Sequence, residues 1–336
     1  MSTNGDEATK VVPVRHVGRW IGGAVAVLFI VMLVHTLFSK VPNGQRSCHT
    51  TNGVRSCHPV VNWRFSWNIV WHYFTSSEVL HGLLVTLELT ALAMIIGILL
   101  GVILAIMRLS HSRLLSATAW SYTWFFRGTP VLVQLVFWFN IAALYPSITL
   151  GIPFTHVAFL HLNDNSIFTP FFSAVVALGL NEAAYFSEIT RSGLIAVDEG
   201  QSEAATSLGM SRGQSLRYVV LPQAMRVILP TTGNEVISML KTTSLASTAG
   251  VIELLGAVTN IYSVNYEIVP LLIVASIWYL IVTTVLSIGQ FYLERHFAKG
   301  ALRVPPPTPL QRLRLDAIAI TARFRSAQLY RQGTHR

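Results

Sequence analysis

The chain has 336 residues, of which 52% are hydrophobic and only 12% are charged. Soluble domains average about 25% charged residues, so this composition excludes an ordinary soluble domain and indicates a membrane protein. The formal net charge of +9 does not indicate nucleic-acid binding, because the arginines cluster at the ends of apolar segments and in the C-terminal tail rather than along one soluble face.

The first 78 residues predict a tail, an anchor helix and an outer segment. Residues 1–19 are polar, and the apolar run at 20–38 is long enough to cross a hydrocarbon layer of ~30 Å. No small-x-small cleavage site follows this run, so it is predicted to remain as an anchor. Three tryptophans near the end of the outer segment are spaced by four residues: Trp63, Trp67 and Trp71. This spacing places them on one helical face, which either lies at the membrane interface or packs against the helical bundle.

The two cysteines, Cys48 and Cys57, lie in a near-repeat in which each is followed by histidine. Cysteine and histidine are the usual ligands of structural zinc. However, zinc signatures normally have closer cysteine pairs, and a segment outside the membrane favours oxidation. We therefore predict a disulfide rather than a metal site, with a pair of free thiols as the remaining alternative.

Later apolar segments predict five further spans, at about 79–107, 129–144, 168–187, 228–251 and 268–293. Arginine marks the segments predicted to face inward, whereas the two short outer loops near residues 155 and 260 carry no positive charge. This asymmetry predicts six spans with both termini in the cytoplasm, and hence an all-α, polytopic membrane protein. The Pro- and Arg-rich tail at 297–336 either lies on anionic membrane lipid or stays disordered.

A polar stretch at 199–222 interrupts the apolar segments. Asp198 with Gln201, and Ser211 with Gln214, match the capping-box pattern at two helix starts. Gly209 is expected to end the first helix in a left-handed conformation. Both predicted helices are too short to be stable alone, so the stretch needs something to dock against.

Within this stretch, Glu203-Ala204-Ala205, Gly209, Val219 and Leu221-Pro222 resemble the EAA loop of ABC-importer permeases. Three other motifs narrow the resemblance to permeases for polar amino acids: Phe126-Arg127-Gly128-Thr129-Pro130, Asn181-Glu182-Ala183-Ala184-Tyr185 and Lys241-Thr242-Thr243-Ser244-Leu245. The resemblance covers residues 79–296 and implies a five-helix permease domain, to which the helix at 20–38 is added. It also implies that six residues form the coupling site for a separate ATPase subunit: Glu203, Ala204, Ala205, Gly209, Leu221 and Pro222.

The resemblance further implies the partners of the chain. These are the ATPase, an extracytoplasmic amino-acid-binding protein and a second permease chain, identical or homologous, in a bacterial inner membrane. The sequence contains no Gly-Lys dipeptide and therefore no phosphate-binding P-loop, so ATP would be bound by the partner and no cofactor is expected here. No catalytic motif is present, and the chain is predicted not to be an enzyme.

Polar residues inside the predicted spans are candidates for a substrate pathway: Glu88, Asn181, Tyr185, Glu188, Lys241, Thr243 and Ser244. Asn181 and Glu188 suit the ammonium group of an amino acid, whereas Lys241 and the hydroxyls of Thr243 or Ser244 suit its carboxylate. The alternative for these polar residues is interhelical packing, and for Glu88 it is hydration near the outer interface.

The competing function is an ion-coupled secondary transporter or channel. In that case Glu88, Glu188 and Lys241 would form an ion or proton relay.

Overall fold

The computed structural model describes residues 17–51, 54–63, 65–144, 147–151, 158–163 and 169–297. The predicted tails therefore lie outside the described residues, apart from their membrane-proximal ends. The described α-helices are α1 (Val17–Phe38), α2 (Trp67–Phe74), α3 (Ser77–Arg108), α4 (Arg113–Gly128), α5 (Val131–Phe139), α6 (Pro170–Ile195), α7 (Glu199–Ser207), α8 (Arg212–Ser215), α9 (Leu221–Thr242), α10 (Leu254–Asn265) and α11 (Ile268–Phe297). Two antiparallel hairpins interrupt this helical protein: β1 (Lys40–Thr51) with β2 (Val54–Trp63), and β3 (Ser147–Gly151) with β4 (Ala158–Asn163).

The pair α3 and α6 forms the centre of the bundle. Helix α3 has 32 residues, about 48 Å of helix, and its N-cap is Ser76, whose side chain accepts a hydrogen bond from the backbone N–H of Val79. Gly97 and Gly101 face α6. A Cβ atom on Gly101 would lie 2.8 Å from the Cβ of Phe186, so only glycine permits this close approach.

Among the described residues, three hydrophobic clusters hold the bundle together. The first packs α3, α5, α6 and α9 around Leu89, Leu135, Leu178 and Met239. The second packs α2, α3, α10 and α11 around Val70, Val79, Leu254 and Leu271. The third, around Phe186, Ala224 and Ile228, packs α6 against α9, so the first and third clusters fix the relative positions of these two helices.

Within the described residues, three helices are long and apolar enough to cross a membrane: α1, α3 and α11. A fourth is added if Arg212–Ala249 and α10, which meet at a bend of 45°, count as one broken span. Helix α6 has 26 residues, but the polar side chains along it lower its hydropathy. The count of six spans therefore stays a prediction.

The predicted third span, 129–144, is wrong as a single regular helix. Helix α5 has only nine residues, about 14 Å, and a 3₁₀ turn at Ile141–Ala143 follows it. The side-chain amide of Asn140 donates to the carbonyl of Val136 at 2.8 Å. Such a local side-chain bond competes with the helical pattern, and the α-helix ends there.

The predicted fifth span, 228–251, is likewise not one regular helix. After α9 the chain tightens into a 3₁₀ segment, Thr243–Ala249, which ends at Gly250 with φ +82°. Four hydroxyls in this segment donate to the carbonyl three residues earlier, at 2.7–2.8 Å: Thr243, Ser244, Ser247 and Thr248. These side-chain bonds satisfy carbonyls at the helix end and favour the tighter turn.

Helix α10 begins at a fully buried carboxylate, Glu253. Its oxygens accept hydrogen bonds from the backbone N–H groups of Leu255 (2.8 Å) and Gly256 (2.7 Å) and from the hydroxyl of Tyr279 on α11 (3.1 Å). A buried charge is tolerated only when it is hydrogen-bonded in this way. Glu253 therefore fixes the bend between the 3₁₀ segment and α10 against α11.

The outer segment differs from the expectation for the tryptophans. Trp63 ends strand β2, whereas Trp67 and Trp71 lie in α2, so the three do not share one helical face. The ring of Trp67 stacks on Phe38 at the end of α1, with centroids 5.5 Å apart. The rest of α1 is exposed along its length.

The first hairpin places the two cysteines as direct partners. In the register of β1 and β2, Cys48 lies opposite Cys57, whereas His49 pairs with Ser56 and His58 with Ser47. Directly opposed residues of antiparallel strands have Cα atoms about 4.5–5.5 Å apart, which falls within the range of disulfides. The register therefore suits the predicted disulfide, which stays a prediction.

Candidate functional site

The stretch at 199–222 forms a helix, a glycine turn and the start of a second helix. Asp198 caps α7, because its Oδ1 accepts from the backbone N–H of Gly200 at 2.8 Å. Gly209 has φ +78°, as predicted for a left-handed turn. Ser211 and Gln214 form the predicted capping box: the Gln214 N–H donates to Ser211 Oγ at 3.4 Å, and the Ser211 N–H donates to Gln214 Oε1 at 2.8 Å.

Two details of this stretch differ from the sequence expectations. The Gln201 side chain does not complete a capping box with Asp198; its Oε1 accepts from Gln223 Nε2 at 3.2 Å, which ties α7 to α9. The second helix is also not a short separate helix. It continues from α8 through a π turn, Leu216–Val220, into α9. Pro222 lacks an N–H and cannot make the α-helical bond, and a π turn directly before it accommodates this loss.

The coupling residues predicted from the motif lie on this surface. Ala205 is buried, whereas Glu203, Ala204 and Gly209 are exposed. Leu221 and Pro222 are also exposed, at the start of α9. Large apolar side chains nearby are exposed as well, with Leu208 at 83% and Tyr218 at 63%. An exposed apolar patch beside a polar helix is typical of a protein-docking site.

A cavity of about 540 Å³ lies between the α4–α5 turn, α6 and α9. Its walls are formed by Arg127, Gly128, Thr129, Pro130, Val131, Asn181, Glu182, Tyr185, Glu235, Ser238, Met239 and Thr242. The cavity carries two carboxylates and one guanidinium. With all three ionised, the charged groups sum to one negative charge, which suits a ligand with one excess positive charge.

Glu182 is the most buried polar group of the cavity, with only 3% of the residue exposed. Its Oε1 has no hydrogen-bond partner among the described residues. The side chain lies against Gly97 of α3, and a Cβ atom on Gly97 would overlap the Glu182 methylene groups. A carboxylate held in this way, with an unpartnered oxygen, is costly unless a ligand pairs with it.

Arg127 lies across the cavity at the end of α4. The central carbon of its guanidinium is 5.2 Å from the ring centroid of Tyr185, a cation–π contact. This contact orients the guanidinium without using all of its N–H donors, of which there are five. Arg127 therefore suits the carboxylate of a zwitterionic ligand.

Two predicted pathway residues, Asn181 and Tyr185, line the cavity. The Asn181 amide donates to the carbonyl of Phe126 at 3.0 Å and to Gln134 Oε1 at 3.1 Å. The Gln134 amide in turn donates to the Phe126 carbonyl at 2.9 Å. Asn181 thus also holds the α4–α5 turn against α6, as the interhelical alternative proposed.

The other predicted pathway residues are not brought to the cavity. Glu188 is paired with Arg191 at 2.8 Å, one turn further along α6. Lys241 and Glu88 are exposed, and neither lines the cavity. Thr243 is buried, and its hydroxyl, like that of Ser244, bonds to backbone.

The pathway residues predicted from the sequence do not include Arg127, Glu182 or Glu235. Arg127 and Glu182 lie inside the motifs that carry the resemblance, and Glu235 lies in the predicted fifth span, where a charged residue by itself signals function. The predicted pathway residues that do line the cavity are Asn181 and Tyr185.

Comparisons with known proteins agree with this architecture. Residues 97–299 match the family model described as "Binding-protein-dependent transport system inner membrane component". The chain is 42% identical to the arginine transport system permease protein ArgU of Corynebacterium glutamicum, over 87% of this chain and 84% of that protein. It is 38% identical to the nopaline transport system permease protein NocM of Agrobacterium fabrum, over 63% of this chain and 86% of that protein.

A solved structure described as an amino acid ABC transporter with histidines is also similar. It is 37% identical and covers 65% of this chain and 94% of its own, with a TM-score of 0.56.

The chain therefore belongs to the family of inner-membrane components of binding-protein-dependent transport systems. It is a multi-pass permease of an ABC importer and not an enzyme. The family implies an ATPase subunit, which hydrolyses ATP, and a substrate-binding protein as partners. This agrees with the resemblance seen in the EAA loop.

Proposed function

We propose that this permease imports basic amino acids such as arginine, and that the cavity between α4, α6 and α9 is a substrate-binding site on the transport pathway. The observation that carries the proposal is the charge of this cavity: Glu182 and Glu235 against one guanidinium, Arg127. A basic amino acid has two cationic groups and one carboxylate, so each of its charges meets one of opposite sign. Two relatives named for arginine transport, ArgU of Corynebacterium glutamicum and ArtQ of Bacillus subtilis, support this substrate class.

The partners follow from the docking surface at 199–222. A separate ATPase subunit binds the exposed patch formed by α7, the Gly209 turn and the start of α9. ATP binds to that subunit alone. A second permease chain, identical or homologous, completes the pathway, and an extracytoplasmic protein delivers the amino acid. Both termini of the chain lie in the cytoplasm, in line with the distribution of positive charge.

The mechanism is a switch between two arrangements of the bundle. ATP binding closes the ATPase pair, and this closure moves α7 and the docked end of α9. Because α9 carries Glu235, Ser238 and Met239 into the cavity wall, this movement changes the cavity's access and its affinity for the amino acid. The switch is driven by the difference between the two arrangements in the free energy of nucleotide binding.

Reconstitution of the complete complex in liposomes tests the proposal. With the ATPase-binding face outward, labelled arginine is supplied with the binding protein inside and ATP outside. We expect ATP-dependent release of labelled arginine from the lumen, which corresponds to import in this orientation. Unlabelled arginine and lysine should compete with the labelled arginine, whereas glutamate should not. Transport by the permease alone on an ion gradient, without ATP, would instead establish the secondary-transporter reading. A preference for acidic amino acids would contradict the substrate class.

A further inference from the structure

One residue of α11, Gln290, hydrogen-bonds to the side of helix α9. The Gln290 amide nitrogen lies 3.1 Å from the carbonyl oxygen of Pro230 and 3.1 Å from Asn234 Oδ1. It also lies 2.8 Å from Glu294 Oε1, on its own helix. The amide has two N–H donors for these three acceptors, so at least one hydrogen is shared between a backbone or side-chain acceptor of α9 and Glu294.

Gly233 leaves the space that the Gln290 side chain occupies against α9. A Cβ atom placed on Gly233 would lie 2.6 Å from Gln290 Cγ and 2.7 Å from its Cδ. Such distances are well below van der Waals contact, so a larger residue at 233 would displace the Gln290 side chain or push α9 and α11 apart. Glycine costs helix stability in an interior position, and here the close approach of Gln290 explains its presence.

The contact lies between the two functional ends of α9. Pro222 of the docking surface is eight residues before Pro230, about 12 Å along the helix. Glu235, the first α9 residue of the cavity wall, directly follows the contact. Any movement of the docked end must pass this point before it reaches the cavity.

Pro230 makes the helix easier to bend at the same place. It lies inside α9 and has no N–H to donate to the carbonyl of Arg226, so one helical hydrogen bond is missing. A helix that bends at a weak point beside a fixed contact turns about that contact. Its two ends then move together, with the contact as fulcrum.

We propose that Gln290, seated on Gly233, is a positioning residue that acts as the fulcrum of α9 and sets how much amino acid moves for each ATP hydrolysed. This inference rests on the proposed function, because it concerns coupling within that transport cycle. Gln290 contacts neither the cavity nor the docking surface, so its effect is transmitted through α9 alone. Without this contact, the docking surface and the cavity would both stay intact, but movement at the docked end of α9 would no longer be transmitted to the cavity.

The test measures the ratio of arginine transported to ATP hydrolysed in the reconstituted complex. Gln290→Leu removes the amide at similar volume, and we expect the ratio to fall by roughly fivefold, as for the loss of one or two net hydrogen bonds. ATPase activity and the yield of assembled complex should be retained. Gly289→Ala is the matched control, because a Cβ there meets nothing within 4 Å, and its ratio should equal that of the wild type.

A double-variant cycle separates the fulcrum from general packing. Gly233→Ala alone should lower the ratio, whereas in a Gln290→Ala background the added methyl group finds space, so Gly233→Ala should cause no further loss. A wild-type ratio for Gln290→Leu, or an equal Gly233→Ala effect in both backgrounds, would overturn the proposal. Failure of the wild-type complex to couple uptake to ATP would instead refute the proposed function, so the two failures are distinguishable.

Discussion

Glu182 is the residue on which the chemistry of the cavity depends. It is buried against Gly97, has an unpartnered oxygen among the described residues, and shares the cavity with Glu235 and Arg127. Burying a carboxylate in this way costs free energy that a bound cation returns. The proposed preference for basic amino acids therefore depends more on Glu182 than on any other side chain.

Replacement of Glu182 by glutamine keeps its shape and removes its charge. We expect the maximal rate of arginine transport to fall by about tenfold or more, because a charge-assisted hydrogen bond is worth roughly 1.5–3 kcal/mol. The measurement is ATP-dependent uptake with a constant amount of binding protein. Glu188→Gln is the matched control, since Glu188 lies on the same helix but pairs with Arg191 away from the cavity; an equal loss in both variants would refute the role of Glu182.

Local residue patterns were predictable, and the cavity was not. Gly209, Ser211 and Gln214 act through neighbours within three residues, so their turn and capping box could be inferred from spacing. The cavity joins the α4–α5 turn to α6 and α9, which are some 50 to 110 residues apart, and sequence spacing does not encode that meeting. Glu182 also lies one position from Asn181, about 100° around the helix, and therefore not on the face that Asn181 shares with Tyr185.

The turn at Gly209 sets the angle at which α7 meets the continuous helix that begins at α8. Its φ of +78° is unfavourable for any residue with a Cβ, and nothing else lies within 4 Å of that position. Conformation rather than space therefore requires glycine here.

Gly209→Ala should thus strain the turn by roughly 1–2 kcal/mol and misplace α7 on the ATPase. We expect ATP hydrolysis to become less dependent on substrate-loaded binding protein, with uptake reduced severalfold and membrane insertion unchanged. Gly289→Ala is the control, because Gly289 lies in helix α11, outside the docking surface, with open space around its Cβ position. Both activities are measured on the same liposome preparations; normal uptake by Gly209→Ala, and all the more by Gly209→Pro, would contradict the role of the turn.

The outer hairpin gives a second prediction at the level of elements. Because Cys48 and Cys57 are direct cross-strand partners, we expect them to form a disulfide that closes a short loop and stabilises the hairpin by roughly 2–3 kcal/mol. Maleimide labelling of the denatured protein should modify neither thiol before reduction and both after it. Cys48→Ser should expose one thiol without reduction; two labelled thiols in the unreduced wild type would favour free cysteines.

At the level of elements, the sequence predicted where helices begin but not where they change form. The π turn before Pro222 and the 3₁₀ segment after Thr242 arise from a missing N–H and from four local hydroxyl bonds. Average hydropathy does not register either cause, because both depend on individual hydrogen bonds. The same applies to α5, which ends early at Asn140.

The whole molecule connects two surfaces through one helix. The exposed patch at 199–222 and the charged cavity share α9, and Gln290 holds that helix between them. Helix α1 stands apart from this path, because among its described side chains the contact with the bundle lies at the C-terminal end, where Phe38 stacks on Trp67. We therefore infer that the permease core, rather than the added helix, carries out the coupling.

Cross-linking from position 207 tests this account most directly. Ser207 is exposed on α7, and the chain has only two other cysteines, so Ser207→Cys in a Cys48→Ser/Cys57→Ser background presents a single thiol. In inside-out vesicles holding the whole complex, we predict that a short thiol-reactive cross-linker joins this residue to the ATPase subunit, and that added nucleotide changes the yield. Labelling of the thiol only from the outer face of intact cells, with no cross-link to the ATPase, would contradict the account.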